Sequence, residues 1–223
     1  MERLIEPEWL DVLPADDPRA RHSRGDLRRI NWFMNNVSLV ARTLKDLPIP
    51  KRVLDVGAGD GTFALAIAER LAWKGTEIIL VDRAGELPGS IRERFAAANC
   101  RVEFHRADAL DGLEEIGPVD VTWVNLFLHH FDDFQLRRLL AEILRHSQTF
   151  IACEPRRSAF ALLASRCLAL IGCNSVTRHD AVVSVRAGFN NEELSRLWPE
   201  PSQWSLSEGA AGLFSHLFVA RRL

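Results

Sequence analysis

The strongest constraint on the fold is the glycine-rich stretch Asp55–Gly61, which lies between a short apolar run and an amphipathic helical pattern. Val53 and Leu54 suit a buried strand, and apolar residues recur at helical spacing over Phe63–Leu71. The stretch is therefore predicted to form a strand-to-helix turn at the carboxyl edge of a sheet. Glycines let a ligand approach the backbone, and a helix amino terminus presents unpaired NH groups. Such a loop is suited to a carboxylate or a phosphate.

The spacing of the glycines distinguishes between a carboxylate ligand and a phosphate ligand. A dinucleotide-binding loop has Gly-x-Gly-x-x-Gly, whereas Gly57, Gly59 and Gly61 form Gly-x-Gly-x-Gly. Asp55 would repel a pyrophosphate, yet it could hold a bound ammonium group directly or through water. A ligand with both an amine and a carboxylate fits better. The chain here resembles the class I S-adenosylmethionine-dependent methyltransferases, whose first motif is an acidic residue followed by x-Gly-x-Gly-x-Gly.

Three further segments match this family in the order that it requires. Glu77–Asp82 is an apolar strand ending in a carboxylate, and the resemblance implies that Asp82 accepts both ribose hydroxyl hydrogens. The alternative is that Asp82 only caps the next turn. Val102–Ala109 alternates as a third strand and contains Asp108, for which the resemblance implies a contact to the adenine amino group. Val119–Leu126 is the fourth strand, and the following Phe-Leu-His-His-Phe resembles the fourth motif of the small-molecule members.

The resemblance thus implies S-adenosylmethionine as the cofactor. The residues expected to bind it are Asp55, Gly57, Ala58, Gly59, Gly61, Asp82, Arg83, Asp108, Ala109, Asn125 and Leu126.

The family also implies the fold class, which is α/β. We expect a Rossmann-like, seven-stranded and mostly parallel sheet flanked by helices, with a helical insertion before the last two strands and an antiparallel hairpin formed by them. The pattern predicts one helix over residues 24–46 and another over residues 135–146, the latter capped by Asp132 or Asp133. A fifth strand is predicted over Phe150–Cys153, and the last two near residues 204–206 and 213–220.

Length and composition indicate one domain, because 223 residues with 47% hydrophobic content can bury one sizeable core. Within a single methyltransferase domain over 1–223, we expect a helical cap (1–48), a cofactor-binding core (50–155), an acceptor-side insertion (156–200) and terminal strands (201–223). The net charge of -2 argues against a nucleic-acid partner. No apolar stretch is long enough to span a membrane, and no signal core is recognisable, so a cytoplasmic location is expected. The sequence does not distinguish between a monomer and a homodimer.

The cap and the insertion supply candidates for binding a small-molecule acceptor. These are Arg28, Asn31 and Asn35 in the cap, and Arg178 and Arg186 in the insertion. The last third of the chain is rich in arginine, which could suit an anionic acceptor, but a solvated face with scattered arginines is the preferred interpretation. The apolar segment over 158–173 could be a lid over an apolar pocket or a buried helix.

His129, His130 and His179 are the candidates for a catalytic general base. An imidazole that deprotonates a phenol could add roughly 100- to 10,000-fold to the rate. His129 is favoured over His130, and a salt bridge is the alternative for the region around His179. A magnesium site at His129, His130, Asp132 and Asp133 is disfavoured, because magnesium prefers oxygen ligands and adjacent residues should diverge. No metal is therefore expected.

Together these features predict a methyltransferase for a small aromatic, phenolic or polyketide-like acceptor, with O-methylation favoured. The alternatives are a C-methyltransferase of a quinone or lipid precursor, or a non-catalytic methyltransferase-like binding protein. An aminopropyl transferase would need an acidic trench for a polyamine, and the arginine-rich insertion argues against one.

Overall fold

The fold is built on one seven-stranded sheet. The computed structural model describes residues 1–14 and 16–223, apart from the side chains of Arg28 and Trp32. The strand order is β3-β2-β1-β4-β5-β7-β6. The strands are β1 (Arg52–Val56), β2 (Glu77–Asp82), β3 (Arg101–Arg106), β4 (Val119–Asn125), β5 (Ser147–Pro155), β6 (Trp204–Ala211) and β7 (Ser215–Arg222). The first five strands run parallel, and β7 is antiparallel to both β5 and β6. The predicted fold class is confirmed.

Helices cover both faces of this sheet. They are α1 (Trp9–Val12), α2 (Pro18–Met34), α3 (Asn36–Leu44), α4 (Thr62–Arg70), α5 (Gly89–Ala97), α6 (Asp133–His146), α7 (Ala159–Arg166), α8 (Ser175–Ala187) and α9 (Glu193–Leu197). Successive strand residues face opposite sides, so Val53 packs in the apolar cluster with α3 and α4, and Leu54 packs in the one with α6. A central parallel strand must be apolar on both faces for this reason. The carboxyl ends of β1 to β4 consequently share one edge of the sheet.

Of the two predicted candidates, Asp132 is the N-cap residue of α6. Its side chain accepts a hydrogen bond from the backbone NH of Gln135, and the Gln135 side chain accepts one from the backbone NH of Asp132. This reciprocal arrangement is a capping box, which fixes where the helix begins. Asp133 is the first residue of the helix instead.

The prediction of one helix over residues 24–46 is wrong. Asn35 has a φ of 57°, which is left-handed backbone, and it separates α2 from α3. Asparagine adopts left-handed backbone more readily than most residues, so the helix can end here. The helical spacing of the apolar residues nevertheless continues across the break. The third strand also ends earlier than predicted, at Arg106.

The apolar segment over 158–173 is not a buried helix. It forms α7 and a 3₁₀ turn over Cys167–Ile171, and Phe160, Leu163 and Leu170 are exposed. Among the described residues, no helix is both long enough and apolar enough to cross a membrane.

Candidate functional site

A cavity of about 620 Å³ lies at the edge where the parallel strands end. One wall is formed by Gly57 and by the residues that end or follow β2 and β3. The opposite wall is formed by an N-terminal segment over residues 3–11, by the turn after β4, and by α8. The lining residues are Ile5, Glu6, Pro7, Glu8, Asp11, Gly57, Val81, Asp82, Arg83, Ala84, Ala107, Asp108, Ala109, Phe127, His129, His130, Phe131, Gln135, Val183 and Ala187.

The glycine loop is held against the end of β2. The backbone NH groups of Gly57 and Ala58 donate to the carbonyl of Val81, at 2.9 and 3.2 Å. Gly57 has a φ of 74°, and a Cβ atom added there would lie 2.4 Å from the ring of Phe127. Glycine is therefore required at this position both by the backbone and by the ring packed against it.

Asp82 connects the glycine loop to the turn that follows β2. Its carboxylate accepts hydrogen bonds from the backbone NH groups of Gly59 at 2.8 Å, Ala84 at 2.9 Å and Gly85 at 2.5 Å. Capping the turn and facing the cavity are thus compatible roles for one side chain. The contact of Asp82 to a ribose stays a prediction.

Asp108 and Arg83 lie beside each other at the far end of the same wall. Asp108 Oδ1 accepts from the backbone NH of Leu110 at 2.9 Å, and Asp108 Oδ2 lies 3.8 Å from Arg83 Nη1. Both side chains line the cavity together with Ala109. The Asp108 carboxylate therefore lies at the cavity, as its predicted contact with the adenine amino group requires.

Asp55 is not at the cavity, contrary to the prediction that it holds an ammonium group. It is 2% exposed, and alternation along β1 turns its side chain to the face that α3 and α4 cover, beside its neighbour Trp123 on β4. Its Oδ2 atom is buried and has no hydrogen-bond partner among the described residues. Burial, together with the charge of Asp82, raises the pKa of the Asp55 carboxyl to about 7.

Five other predicted cofactor residues lie next to the cavity without lining it. Asn125 Oδ1 accepts from Asn36 Nδ2 at 2.8 Å, and Leu126 has a φ of 54° and donates its backbone NH to Cys153. The other three belong to the glycine loop and are Ala58, Gly59 and Gly61.

His129 is enclosed between two carboxylates. Its Nδ1 lies 2.8 Å from Glu154 Oε2, and its Nε2 lies 3.5 Å from Glu8 Oε1. Burial lowers the pKa of the imidazole, but the hydrogen bond to Glu154 and the negative charges of Glu154 and Glu8 outweigh burial and raise this pKa to about 9. The ring is therefore protonated near pH 7, which contradicts the prediction that His129 is the favoured base.

His130 lies at the cavity with its side chain 30% exposed. Its Nδ1 is 3.7 Å from Asp11 Oδ2. Burial and the neighbouring charge of His129 lower the pKa of His130, so this ring is neutral near pH 7. His130 therefore combines a neutral ring with a position at the cavity.

His179 is away from the cavity, so the geometry does not support a catalytic role for it. Its ring stacks on Trp9, with the centroids 3.9 Å apart, and its Nδ1 lies 2.9 Å from Asp180 Oδ1. The carboxylate of Asp180 accepts from the backbone NH groups of Trp9 at 2.8 Å and Leu10 at 3.0 Å. These contacts of α8 hold the N-terminal segment in place over the cavity.

The predicted acceptor-binding residues are not brought together at the cavity. Arg178 is exposed, and Arg186 Nη1 lies 3.5 Å from Glu6 Oε2. Asn31 and Asn35 are exposed as well. The side chain of Arg28 lies outside the described part of the chain. The alternative of an anion-binding acceptor end gains no support from the described lining, which carries Glu6, Glu8 and Asp11 on the N-terminal segment.

Sequence reasoning missed the carboxylates Glu8 and Glu154. Glu154 is fully buried and accepts from the backbone NH groups of Phe127 at 3.0 Å and Leu128 at 2.9 Å. An acid directly after the apolar run of β5 was a detectable signal, because polar residues at strand ends gather at one edge of a parallel sheet. Glu8 has no such signal, since it lies in a segment without periodicity.

The chain resembles known proteins over its core. Residues 53–149 match the family model described as Methyltransferase domain. A polyamine aminopropyltransferase of Synechococcus sp. is 37% identical over 78 residues, covering 32% of this chain and 24% of that protein. A protein-L-isoaspartate O-methyltransferase of Stenotrophomonas maltophilia is 38% identical over 71 residues, covering 32% of this chain and 30% of that protein. This chain thus matches less than a third of the length of either relative.

Similarity to solved structures extends over almost the whole chain. The plantazolicin methyltransferase BpumL in complex with SAH (S-adenosylhomocysteine) superimposes with a TM-score of 0.67 at 13% identity, covering 93% of this chain and 92% of that one. At this identity the likeness establishes the fold. Residues 53–149 thus match a methyltransferase domain, and the fold of almost the whole chain is similar to that of a solved methyltransferase structure.

Proposed function

We propose that this chain transfers a methyl group from S-adenosylmethionine to a small acceptor in the cavity. The observation that supports this proposal most is that the carboxylate of Asp82 binds the backbone of the glycine loop, while the opposite lining combines aliphatic, aromatic and charged side chains. One wall therefore suits the cofactor and the other an acceptor. The structure of BpumL with S-adenosylhomocysteine supports the same choice of cofactor.

Each part of the cofactor has a matching group along the first wall. The glycine loop would receive the methionine part, Asp82 the ribose hydroxyls, and Asp108 the adenine amino group. These three groups follow β1, β2 and β3 in turn, so they lie in sequence along the sheet edge. Phe127, which packs against Gly57 and also lines the cavity, would border the part of the site that holds the methionine part.

The reaction needs alignment more than activation of the methyl group. The acceptor atom forms a bond to the methyl carbon while the carbon–sulfur bond breaks, and the electron pair stays on sulfur as a neutral thioether. A hydroxyl acceptor also loses its proton. Holding the two reactants in line can be worth about 7 to 11 kcal/mol of the barrier.

We favour an oxygen atom of a small aromatic, phenolic or polyketide-like compound as the acceptor. Phe127 and Phe131 pack edge to face with centroids 5.0 Å apart and present aromatic surface to the cavity. Polar groups at the same end of the cavity would orient a hydroxyl. A C-methyltransferase of a quinone or lipid precursor, and a non-catalytic binding protein, are the alternatives.

The first test is calorimetric titration with S-adenosylmethionine and S-adenosylhomocysteine. We expect micromolar binding by the unchanged protein, loss of binding in Asp82→Ala, and no change in Asp46→Ala, which removes an exposed carboxylate outside the cavity. A screen of phenolic acceptors, read by formation of S-adenosylhomocysteine, then tests transfer. Absence of cofactor binding would refute the proposal, and binding without turnover of any acceptor would favour the non-catalytic alternative.

Aminopropyl transfer is a second candidate. The matched segment of the aminopropyltransferase favours it, and so do the three carboxylates at the acceptor end of the lining. The arginines of the insertion no longer oppose it, because Arg178 and Arg186 do not line the cavity. Decarboxylated S-adenosylmethionine with a polyamine separates the two reactions, since an aminopropyl product would form only from that donor.

A further inference from the structure

We propose that Glu8, His129 and His130 form a binding site for a divalent transition-metal ion of the zinc class at the acceptor end of the cavity. The role that this ion would have in the reaction rests on the proposed function, but the binding itself does not. One carboxylate and two imidazoles are a ligand set that zinc takes in proteins.

The positions of the three side chains fit one shared ion. One ligand atom from each lies within 4.8 Å of the other two. The distance from His129 Nε2 to Glu8 Oε1 is 3.5 Å. Two ligands that are each about 2.0–2.1 Å from a tetrahedral zinc ion are roughly 3.3 Å apart. This pair is therefore already at the spacing of two ligands, and it is long for a direct hydrogen bond.

The two histidines converge although they are adjacent in the sequence. They belong to a 3₁₀ turn over Leu128–His130, and their ring centroids are 4.2 Å apart with an interplanar angle of 33°. The sequence-based argument that neighbouring residues must diverge fails at this turn. Asp132 and Asp133 are exposed and engaged with α6 and Arg3, so Glu8 from the N-terminal segment supplies the carboxylate instead.

A second carboxylate orients the imidazole of His129, and another lies near that of His130. Glu154 Oε2 binds Nδ1 of His129 at 2.8 Å, which leaves Nε2 of His129 for a metal. Glu154 is itself fixed by the backbone NH groups of Phe127 and Leu128. Asp11 Oδ2 lies 3.7 Å from Nδ1 of His130. Carboxylates that hydrogen-bond to ligating histidines fix the ring orientation and are usual at metal sites.

The charge around His129 also suits a cation. Glu8 and Glu154 place two negative charges against one buried ring. A divalent ion that replaces the proton on Nε2 would balance both carboxylates. Buried carboxylates that pair with a metal avoid the cost of burial without a partner.

A position on such an ion would remain open toward the acceptor. All three ligands line the cavity, and three protein ligands with one open position are the pattern of catalytic zinc sites. A hydroxyl bound there would release its proton to solvent more readily and keep its lone pair for the methyl carbon. This arrangement replaces a general-base role for His129 and His130.

The test is metal binding by the full chain after chelation and desalting. We expect one equivalent of Zn²⁺ by calorimetry, and we expect Co²⁺ to give visible absorption of a four- or five-coordinate site without a thiolate charge-transfer band. Mg²⁺ should not compete. Binding to the cysteines instead would produce that band and contradict the assignment.

Variants locate the site. Glu8→Gln and His130→Gln should weaken Zn²⁺ binding by roughly 100-fold, which is the upper range seen when a group that supports a metal ligand is removed. Glu2→Gln makes the same change at an exposed position near the N-terminal segment, and His146→Gln makes the same change on α6. Both controls should bind Zn²⁺ as the unchanged protein does. Circular dichroism checks that each variant is folded.

Besides a thiolate charge-transfer band, two outcomes would overturn the inference. One is the absence of stoichiometric Zn²⁺ binding, and the other is binding that Glu8→Gln and His130→Gln leave unchanged. Titration of S-adenosylmethionine into the same metal-free sample separates this inference from the proposed function. Cofactor binding without zinc binding refutes only the metal site, whereas zinc binding without cofactor binding refutes only the proposed function.

Discussion

Two glycines of the cofactor loop share a backbone conformation but differ in their surroundings. Gly57 has a φ of 74° and Gly59 has a φ of 57°. A Cβ atom on Gly57 would meet the Phe127 ring at 2.4 Å, whereas one on Gly59 would meet nothing within 4 Å. The first position is therefore constrained twice and the second only by its backbone.

We predict that Gly57→Ala destabilises the protein more than Gly59→Ala does. Left-handed backbone should cost either alanine about 1–2 kcal/mol. Overpacking against Phe127 should add about 1–3 kcal/mol at Gly57 only. Urea denaturation of the cofactor-free protein measures both free energies of unfolding. Equal losses would show that the Phe127 ring moves aside freely.

Asp55 gives a pH dependence to stability. Its pKa is about 7 in the folded protein and about 3.9 when unfolded, so between these values the folded state holds a proton that the unfolded state has lost. The stability that Asp55 contributes is therefore complete below about pH 4 and falls by about 1.4 kcal/mol per pH unit up to about pH 7. Above about pH 7 the carboxylate is ionised although it is buried, so this contribution to the free energy of unfolding is lost completely.

We accordingly predict that Asp55→Asn is more stable than the unchanged protein at pH 8, and that the difference shrinks as the pH is lowered to 5. An asparagine has similar volume and cannot ionise. Urea denaturation at several pH values measures the difference, in which other titrating groups cancel. A difference that does not change with pH would mean that Asp55 is ionised in the folded state at all these pH values.

At the scale of elements, α8 and the N-terminal segment act as a pair. Asp180 accepts two backbone NH groups at the start of α1, and His179 stacks on Trp9. Arg3 adds a hydrogen bond to the carbonyl of Phe131 at 2.7 Å. The segment that carries Glu8 is therefore held over the cavity largely by contacts outside it.

Replacement of Asp180 by alanine should release this segment without unfolding the sheet. Loss of the charged acceptor leaves two NH groups unpaired, at about 1–3 kcal/mol, which corresponds to roughly 10- to 100-fold faster hydrogen exchange at Trp9 and Leu10. Amides of β4 should keep their rates. Glu69→Ala, which removes an exposed ion-pair carboxylate on α4, is the control. Unchanged exchange at Trp9 and Leu10 would show that other contacts suffice.

Local patterns predicted the elements that have a strong period and missed what depends on distant contacts. β1, β2 and β4 were recognisable because their residues are apolar on both faces. The break in the helix predicted over 24–46 was not recognisable, because the left-handed Asn35 leaves the spacing of the apolar residues intact. Glu8 could not be placed at the site from sequence, since its position depends on Asp180, which lies 171 and 170 residues from the two NH groups that it binds.

At the scale of the whole molecule, the cavity is shared by parts of the chain that are far apart in sequence. The glycine loop, the end of β2, the turn after β4, α8 and the N-terminal segment all contribute lining residues. The motifs assigned the first three of these to the site, together with Asp108 and Ala109 after β3. A ligand in the cavity would therefore contact both the sheet and the segment that covers it, and its binding energy would stabilise them together.

The proposed cofactor site makes a prediction about global stability. A ligand that binds only the folded state at 100 times its Kd adds about 2.7 kcal/mol to the free energy of unfolding. For a chain of this size each kcal/mol raises Tm by about 2–4 °C, so S-adenosylhomocysteine should raise Tm by about 5–10 °C. Calorimetric scans at increasing concentrations measure the shift, which should grow with the logarithm of concentration. Asp82→Ala should show no shift at the same concentrations, because its carboxylate organises the loop that would bind the ligand. An equal shift in that variant would mean that the ligand stabilises the protein from a different site.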